Sequence, residues 1–297
     1  MQDEISLLEK TAYEIRKEIL KMTNSANSGH PGGSMSCIDI LTCLYLRVLK
    51  HDPKNPEWEE RDFFVLSKGH ASPALYGILA YQGYFPKEDL LTFRKLGSKL
   101  QGHPERIMLK GVEITTGSLG QGLSVANGIA LGLKLKKSQS RVYCLLGDGE
   151  LQEGQVWEAL LSSGHRKLDN LCVILDRNKL QIDGKVEEIK SEEPIEEKIK
   201  AFKYNVLKID GHNYSEILDA FETFKKTKGM PTFIIADTIK GKGVSFMENN
   251  VDFHGKAPTN DELKKGLKEL ENHIKEIDRE KLNGEKRNSG LLRQNAS

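Results

Sequence analysis

Five short apolar runs, separated by longer stretches of helical periodicity, constrain this chain more than any other feature. They are FFVLS at 63–67, VYCLL at 142–146, LCVIL at 171–175, NVLKI at 205–209 and TFIIA at 232–236. Continuous apolar runs of this length suit strands covered on both faces, and strands that alternate with helices imply parallel pairing through helical crossovers. Apolar residues three or four apart predict helices over 4–22, 34–50, 73–81, 87–95, 120–137, 154–166, 194–202, 214–227 and 260–277. The expected fold is α/β, a doubly wound and mainly parallel sheet flanked by helices, occupying residues 1–277. From 278 to 297 the apolar period fades, which predicts a polar, mobile tail.

Charge narrows the function classes. The 44 basic and 43 acidic residues leave a formal net charge of +1, so no whole-molecule field draws the chain to nucleic acid or to an anionic membrane. No apolar run approaches a membrane span and the acidic N-terminus lacks the pattern of an export signal, which predicts a cytoplasmic protein. Cys37, Cys43, Cys144 and Cys172 stand in apolar surroundings without metal-ligand spacing, as expected of reduced core thiols.

The polar loops that follow two of the apolar runs carry the chemistry. In VYCLLGDGE, Gly147 and Gly149 flank Asp148, letting main-chain N–H groups approach an anion while the carboxylate is free to hold a cation. Thirty positions on, LCVILDRNKLQIDG supplies Asn178 and the carbonyl of Leu180. Hard oxygen donors beside a phosphate suit magnesium, with calcium as a substitute. An Asp-Gly pair after a strand is also an ordinary turn, so these residues alone leave both readings open.

Six of the eight histidines adjoin a glycine: His30, His70, His103, His165, His212 and His254. A lone histidine on a turn is commonly solvated or structural, whereas several brought together suit proton transfer near neutrality. Four lie in SANSGHPGGSMS, LSKGHASPALY, LQGHPE and FHGKAP.

These segments, with GDGELQEG, DRNKLQIDG and TTGSLGQGLSVANGIA at 115–130, resemble transketolase signatures within the thiamine diphosphate enzyme superfamily. The resemblance spans about residues 5–265. It implies that Asp148, Asn178 and the Leu180 carbonyl hold the metal, that Gly149 lies against the diphosphate, and that Gly117 and Leu119 line the cofactor. By the same analogy His30, His70, His103 and His254 surround the diphosphate and the first carbons of the substrate, with His70 and His254 counted among the cofactor contacts. Glu153 and Glu158 match glutamates that lie near the subunit interface and link two active sites. Arg177 departs from the family pattern, where a neutral polar or acidic residue is common before the metal-binding Asn. His51, His165, His212 and His273 are read as structural, and Lys240, Lys242 and Lys256 as solvated lysines, with contact to a substrate's anionic end as the alternative.

Nothing in the sequence resembles the family's second domain, whose glutamate activates the cofactor. The resemblance therefore implies the N-terminal subunit of a split transketolase. A separate subunit would carry the pyrimidine-binding and C-terminal domains, with two copies of each in a heterotetramer. Such an enzyme moves a two-carbon ketol unit from a ketose phosphate to an aldose phosphate in the pentose phosphate pathway. Three rivals share parts of this pattern: a deoxyxylulose-phosphate-synthase-like enzyme, a split ketol transferase for modified sugars, and a non-catalytic cofactor-binding regulatory subunit. A dinucleotide-binding domain is disfavoured, because no strand leads into GxGxxG with an acidic residue about twenty positions later.

Overall fold

The computed structural model describes the backbone of residues 2–294 and the side chains of residues 3–282. The first half comprises α1 (Gln2–Ala26), α2 (Pro31–Cys43), β1 (Phe63–Leu66), α3 (Ser72–Gln82), α4 (Gln121–Leu135), β2 (Val142–Gly147), α5 (Asp148–Leu151) and α6 (Gly154–His165). Then come β3 (Leu171–Arg177), the hairpin of β4 (Leu180–Gln181) and β5 (Gly184–Lys185), α7 (Val186–Lys190), α8 (Ile195–Ala201), β6 (Asn205–Asp210), α9 (Tyr214–Lys226), β7 (Thr232–Asp237) and α10 (Asn260–Gln294).

The five apolar runs form one parallel sheet in the order β1-β2-β3-β7-β6. Side chains alternate between its faces, as the two-residue strand period requires. Tyr143, Leu145, Cys172, Ile174 and Ala236 enter a core with α1, α2, α3, α9 and α10. Val142, Cys144, Leu146, Val173 and Phe233 enter a second core with α4, α6 and α8. All four cysteines are free and buried within these layers.

The two layers fix where polar loops collect. After β3 the chain turns toward the α8 face, and after β7 it turns toward the α10 face. Adjacent strands whose exits diverge open a crevice at their carboxyl ends, the usual ligand position in such sheets. Residues 67–70, 148–150, 178–181 and 238–240 follow β1, β2, β3 and β7 at this end.

One expectation fails at the C-terminus. The helix does not stop at 277 but continues to Gln294, so the described part of the polar run is helical and only 295–297 lie outside the described residues. Glu, Lys, Arg and Leu dominate 278–294, and these are strong helix formers even without an apolar face. Asp278 pairs with Lys10 of α1 at 2.7 Å, which anchors the start of the extension. Residues 87–95 also depart from expectation, forming a short 3₁₀ turn over Lys87–Thr92 in place of an α-helix. Among the described residues no helix is long and apolar enough to cross a membrane.

Candidate active site

Four segments far apart in sequence bring His30, His70, His103 and His254 around one cavity of about 360 Å³. His30 immediately precedes Pro31, the first residue of α2, where a missing N–H costs nothing. His70 sits in the single turn Gly69–Ala71 that follows β1. A side chain at Gly69 would come within 2.6 Å of Thr116, so glycine lets this turn press against the loop carrying Gly117. Gly117 itself has φ +146°, and a Cβ there would lie 3.0 Å from the His103 ring. His254 ends the turn Val251–His254.

The rings form a contiguous group. His30 lies 5.2 Å from His70, 6.4 Å from His103 and 5.5 Å from His254, centroid to centroid, and His70 lies 5.3 Å from His254. Burial, then the Arg94 guanidinium, draws His30 down to about 4. Burial, then the Lys240 ammonium, draws His254 down to about 3. His70 is held well below its ordinary value by burial and then Lys68, and His103 is lowered by burial and then Arg94. The four imidazoles are therefore neutral near pH 7, able both to donate and to accept a proton.

Two cations face the same cavity. Lys240 is 1% exposed, which corrects its assignment as a solvated lysine. Its Nζ donates to His254 Nδ1 at 2.8 Å and to the Leu180 carbonyl at 3.4 Å, and burial draws it down to about 8. Lys68, also 1% exposed, donates to the Gly33 carbonyl at 2.7 Å and to Asp176. Burial opposes its charge, but the Asp176 carboxylate outweighs that effect and holds Lys68 above the usual lysine range. Lys242 is half-buried and Lys256 is exposed; neither lines this cavity.

The oxygen donors line the same cavity. Asp148 is 3% exposed; its Oδ1 accepts the Gly149 N–H at 2.9 Å and its Oδ2 accepts the Lys179 N–H. Burial, then repulsion from Asp176, pushes Asp148 up to about 7. Asn178 Nδ2 donates to Asp176 at 3.3 Å, and its Oδ1 accepts the Leu180 N–H at 3.2 Å. Gly117, Leu119, Gly149, Leu180 and Glu153 also line the cavity, whereas Glu158 lies exposed on α6 outside it.

Four residues of the site escape a motif reading. Glu150 bridges three segments, accepting from Ser67 Oγ at 2.5 Å and from the Gly120 and Gly147 N–H groups at 3.0 Å each. Asp176 gathers Lys68, Ser36, Asn178 and Thr238. Arg94 reaches Ser28 Oγ at 2.8 Å and His30 Nδ1 at 3.5 Å. Gln181 lines the cavity with its Nε2 buried and without a hydrogen-bond partner among the described residues. Three of the remaining histidines serve the scaffold, and His165 lies exposed at the end of α6. His212 joins Asp39 to the Ile239 N–H, His51 joins Tyr84 to the Tyr45 carbonyl, and His273 stacks on Tyr13.

Comparisons with known proteins bear on the family and the fold. A family model described as "Transketolase, thiamine diphosphate binding domain" matches residues 8–276. The chain is 46% identical over 264 residues to the 6-deoxy-6-sulfo-D-fructose transketolase subunit SqwG of Clostridium sp. (strain MSTE9), covering 89% of this chain and 96% of that protein. It is 43% identical to an apulose-4-phosphate transketolase subunit of Actinobacillus succinogenes, covering 89% and 95%. The solved transketolase of Campylobacter jejuni superposes with a TM-score of 0.85 at 41% identity, over 89% of this chain but 42% of that one. With a domain match across most of its length and relatives of its own size that are transketolase subunits, the chain belongs to the transketolase family as an N-terminal, thiamine diphosphate-binding subunit.

Proposed function

We propose that this cavity binds thiamine diphosphate with a magnesium ion and transfers a two-carbon ketol unit from a ketose phosphate to an aldehyde acceptor. The observation that carries the reading is the convergence on one cavity of four neutral histidines, two buried lysines and the buried carboxylate of Asp148. The residues fit an anionic cofactor. Gln181 offers a buried donor without a partner, Lys68 and Lys240 supply positive charge, and Gly147 and Gly149 keep side chains away from the Asp148 turn. Among the described residues no group of three His, Cys, Asp or Glu side chains is placed to hold a metal alone. Asp148, the Asn178 amide oxygen and the Leu180 carbonyl would thus hold magnesium, or calcium in its place, together with oxygens of the diphosphate.

When bound, thiamine diphosphate supplies the carbon centre that accepts the two-carbon unit. The chain's own residues do the rest of what this half contributes. His30 and His254 are neutral and receive or return hydroxyl protons. His70 and Lys240 stand at the buried end, where a cation next to an imidazole favours anionic oxygen. His103, on the more open side, contacts substrate hydroxyls. Glu153, at the α6 N-cap, and Glu158, one turn further on, face a neighbouring subunit.

A separate subunit would provide the cofactor's pyrimidine site and the remaining substrate contacts, assembled as two copies of each chain in the cytoplasm. The donor reading with ordinary pentose phosphates places the reaction in the pentose phosphate pathway. A second reading, transfer to or from modified sugars, draws support from the two subunit relatives named for a sulfonated and a branched sugar. The test is a transfer assay with the chain alone and mixed with its candidate partner, using xylulose 5-phosphate and ribose 5-phosphate beside 6-deoxy-6-sulfofructose and apulose 4-phosphate. Transfer only in the mixture supports the split enzyme, and the preferred donor decides between the readings. Equal turnover by this chain alone overturns the two-subunit proposal.

A further inference from the structure

Arg94 is held beside the histidines in a way that its own stability does not explain. It stands in the left-handed region at φ +58°, a conformation that costs free energy for a residue with a side chain. Its N–H donates to the Leu100 carbonyl at 2.9 Å, which closes the 94–100 loop. Its Nε is buried without a partner, and no carboxylate pairs with the guanidinium among the described residues. Burial therefore draws the group below its ordinary value, with Tyr76 opposing. A half-buried cation without an acid is costly, so the scaffold gives little reason to place one here.

The guanidinium is seated among the segments that carry the histidine cluster. Nη1 donates to Ser28 Oγ at 2.8 Å and Nη2 to His30 Nδ1 at 3.5 Å. Gly102, next to His103, leaves the space, because a Cβ there would lie 2.8 Å from Arg94 Cζ and Nε. A guanidinium has donors and no acceptor. His30 Nδ1 must then accept, and the neutral ring carries its proton on Nε2. That nitrogen is turned toward the turn of His254, since a Cβ at Gly255 would lie 3.6 Å from it. The other titratable groups facing His30 are the imidazoles of His70, His103 and His254 and the ammonium of Lys240.

We propose that Arg94 is a positioning residue for His30, holding the ring at Nδ1 so that Nε2–H is presented to a carbonyl oxygen of the substrate. This rests on the transfer reading above and fixes how His30 first meets the substrate, as a donor. A carbonyl oxygen becomes negative when its carbon is attacked, and an N–H already aimed at it stabilises that charge.

The test is long-range proton–nitrogen correlation spectroscopy of the full chain near pH 7, with His30→Gln used to assign the ring. Protonated and unprotonated ring nitrogens differ widely in shift. The parent should carry the His30 proton on Nε2, and Arg94→Met should show a mixture of tautomers. The titration of His30 should also rise from about 4 toward the ordinary 6.5 in Arg94→Met, stopping short because burial remains. Arg94→Lys keeps the charge without the planar fork, so it should restore the titration more than the tautomer. A parent ring protonated on Nδ1 overturns the proposal whatever the variants do. A higher titration in Arg94→Met with the Nε2 tautomer intact also overturns it, because Arg94 would then act by charge alone. In the transfer assay with the candidate partner, Arg94→Met should lower kcat by up to about 100-fold, the scale of a misplaced catalytic group, and move KM less. An unchanged kcat overturns the proposal, whereas a parent mixture without transfer overturns the transfer reading and leaves the tautomer result standing.

Discussion

The ammonium of Lys68 and the carboxylate of Asp176 pair at the ends of β1 and β3, across β2, with side chains 1% and 0% exposed. Asp176 also receives Ser36 Oγ at 2.6 Å and the Asn178 amide at 3.3 Å. A single carboxylate therefore fixes both a cation beside the histidine cavity and the orientation of the amide proposed to hold the metal. Asp176→Asn removes the charge while keeping the volume, leaving Lys68 buried and unpaired. The expected loss is about 3–5 kcal/mol, the usual result of breaking a buried pair from one side. Urea unfolding of the full chain measures it, and a loss near zero would mean that Lys68 moves to solvent.

The depressed histidines predict an acid limit to stability. His30 is drawn to about 4 from an ordinary 6.5, first by burial and then by Arg94. Between those values the unfolded chain binds a proton that the folded chain refuses, so stability rises with pH. The contribution is complete above 6.5 and is lost as pH falls toward 4. His30→Gln should therefore lose less of its urea midpoint than the parent between about pH 7.5 and about pH 5. Equal losses would remove His30 from the linkage.

Gly122 sets how closely α4 approaches the end of β1. A Cβ at this position would lie 2.6 Å from Ser67 Cβ and 2.7 Å from its Cα, and backbone cannot swing aside as a flexible side chain can. Ser67 in turn binds Glu150, and the next turn carries His70. Gly122→Ala should cost about 1–3 kcal/mol by overpacking, measured by urea unfolding. Because the displacement reaches His70, affinity for thiamine diphosphate should fall as well. An unaffected affinity would show that the 67–70 segment adjusts independently of α4.

Much of this architecture is legible in the sequence because its signals are local. All five apolar runs form strands of the sheet within two residues of their expected ends, since a fully buried strand declares itself by continuous apolar sequence. The histidine loops and the Asp148 and Asn178 turns are legible as motifs. The residues between them are not. Lys68 and Asp176 are 108 positions apart, and a lysine after a strand looks like any solvated lysine until the fold supplies its carboxylate. Lys240 misleads for the same reason, because its burial depends on His254 and the Leu180 carbonyl rather than on its neighbours in sequence. At α10 the difference runs the other way, as an amphipathic criterion ends a helix that propensity sustains.

Away from the site, Asp39 of α2 ties three helices together. Both oxygens receive Arg16 of α1, at 2.9 and 2.7 Å. Tyr214 of α9 donates to Oδ1 at 2.5 Å, and His212 Nδ1 lies 2.6 Å from Oδ2. Burial opposes this charge, but Arg16 and the hydrogen bond from His212 outweigh it and hold Asp39 well below the usual carboxylate range. Asp39→Asn should destabilise the chain by about 3–5 kcal/mol, because Arg16 is left buried without its counter-ion. The double replacement Arg16→Met with Asp39→Leu removes both charges, and it should recover a large part of that loss if the penalty is an unpaired ion rather than lost packing. His212 also accepts the Ile239 N–H at 2.9 Å, adjacent to Lys240, so the two variants should part in function as well. Asp39→Asn leaves an amide oxygen that can still accept from His212 and should keep near-parent affinity for thiamine diphosphate once folded, whereas the double replacement offers no acceptor, frees the ring and should weaken it. Equal affinities measured by isothermal titration would confine Asp39 to stability.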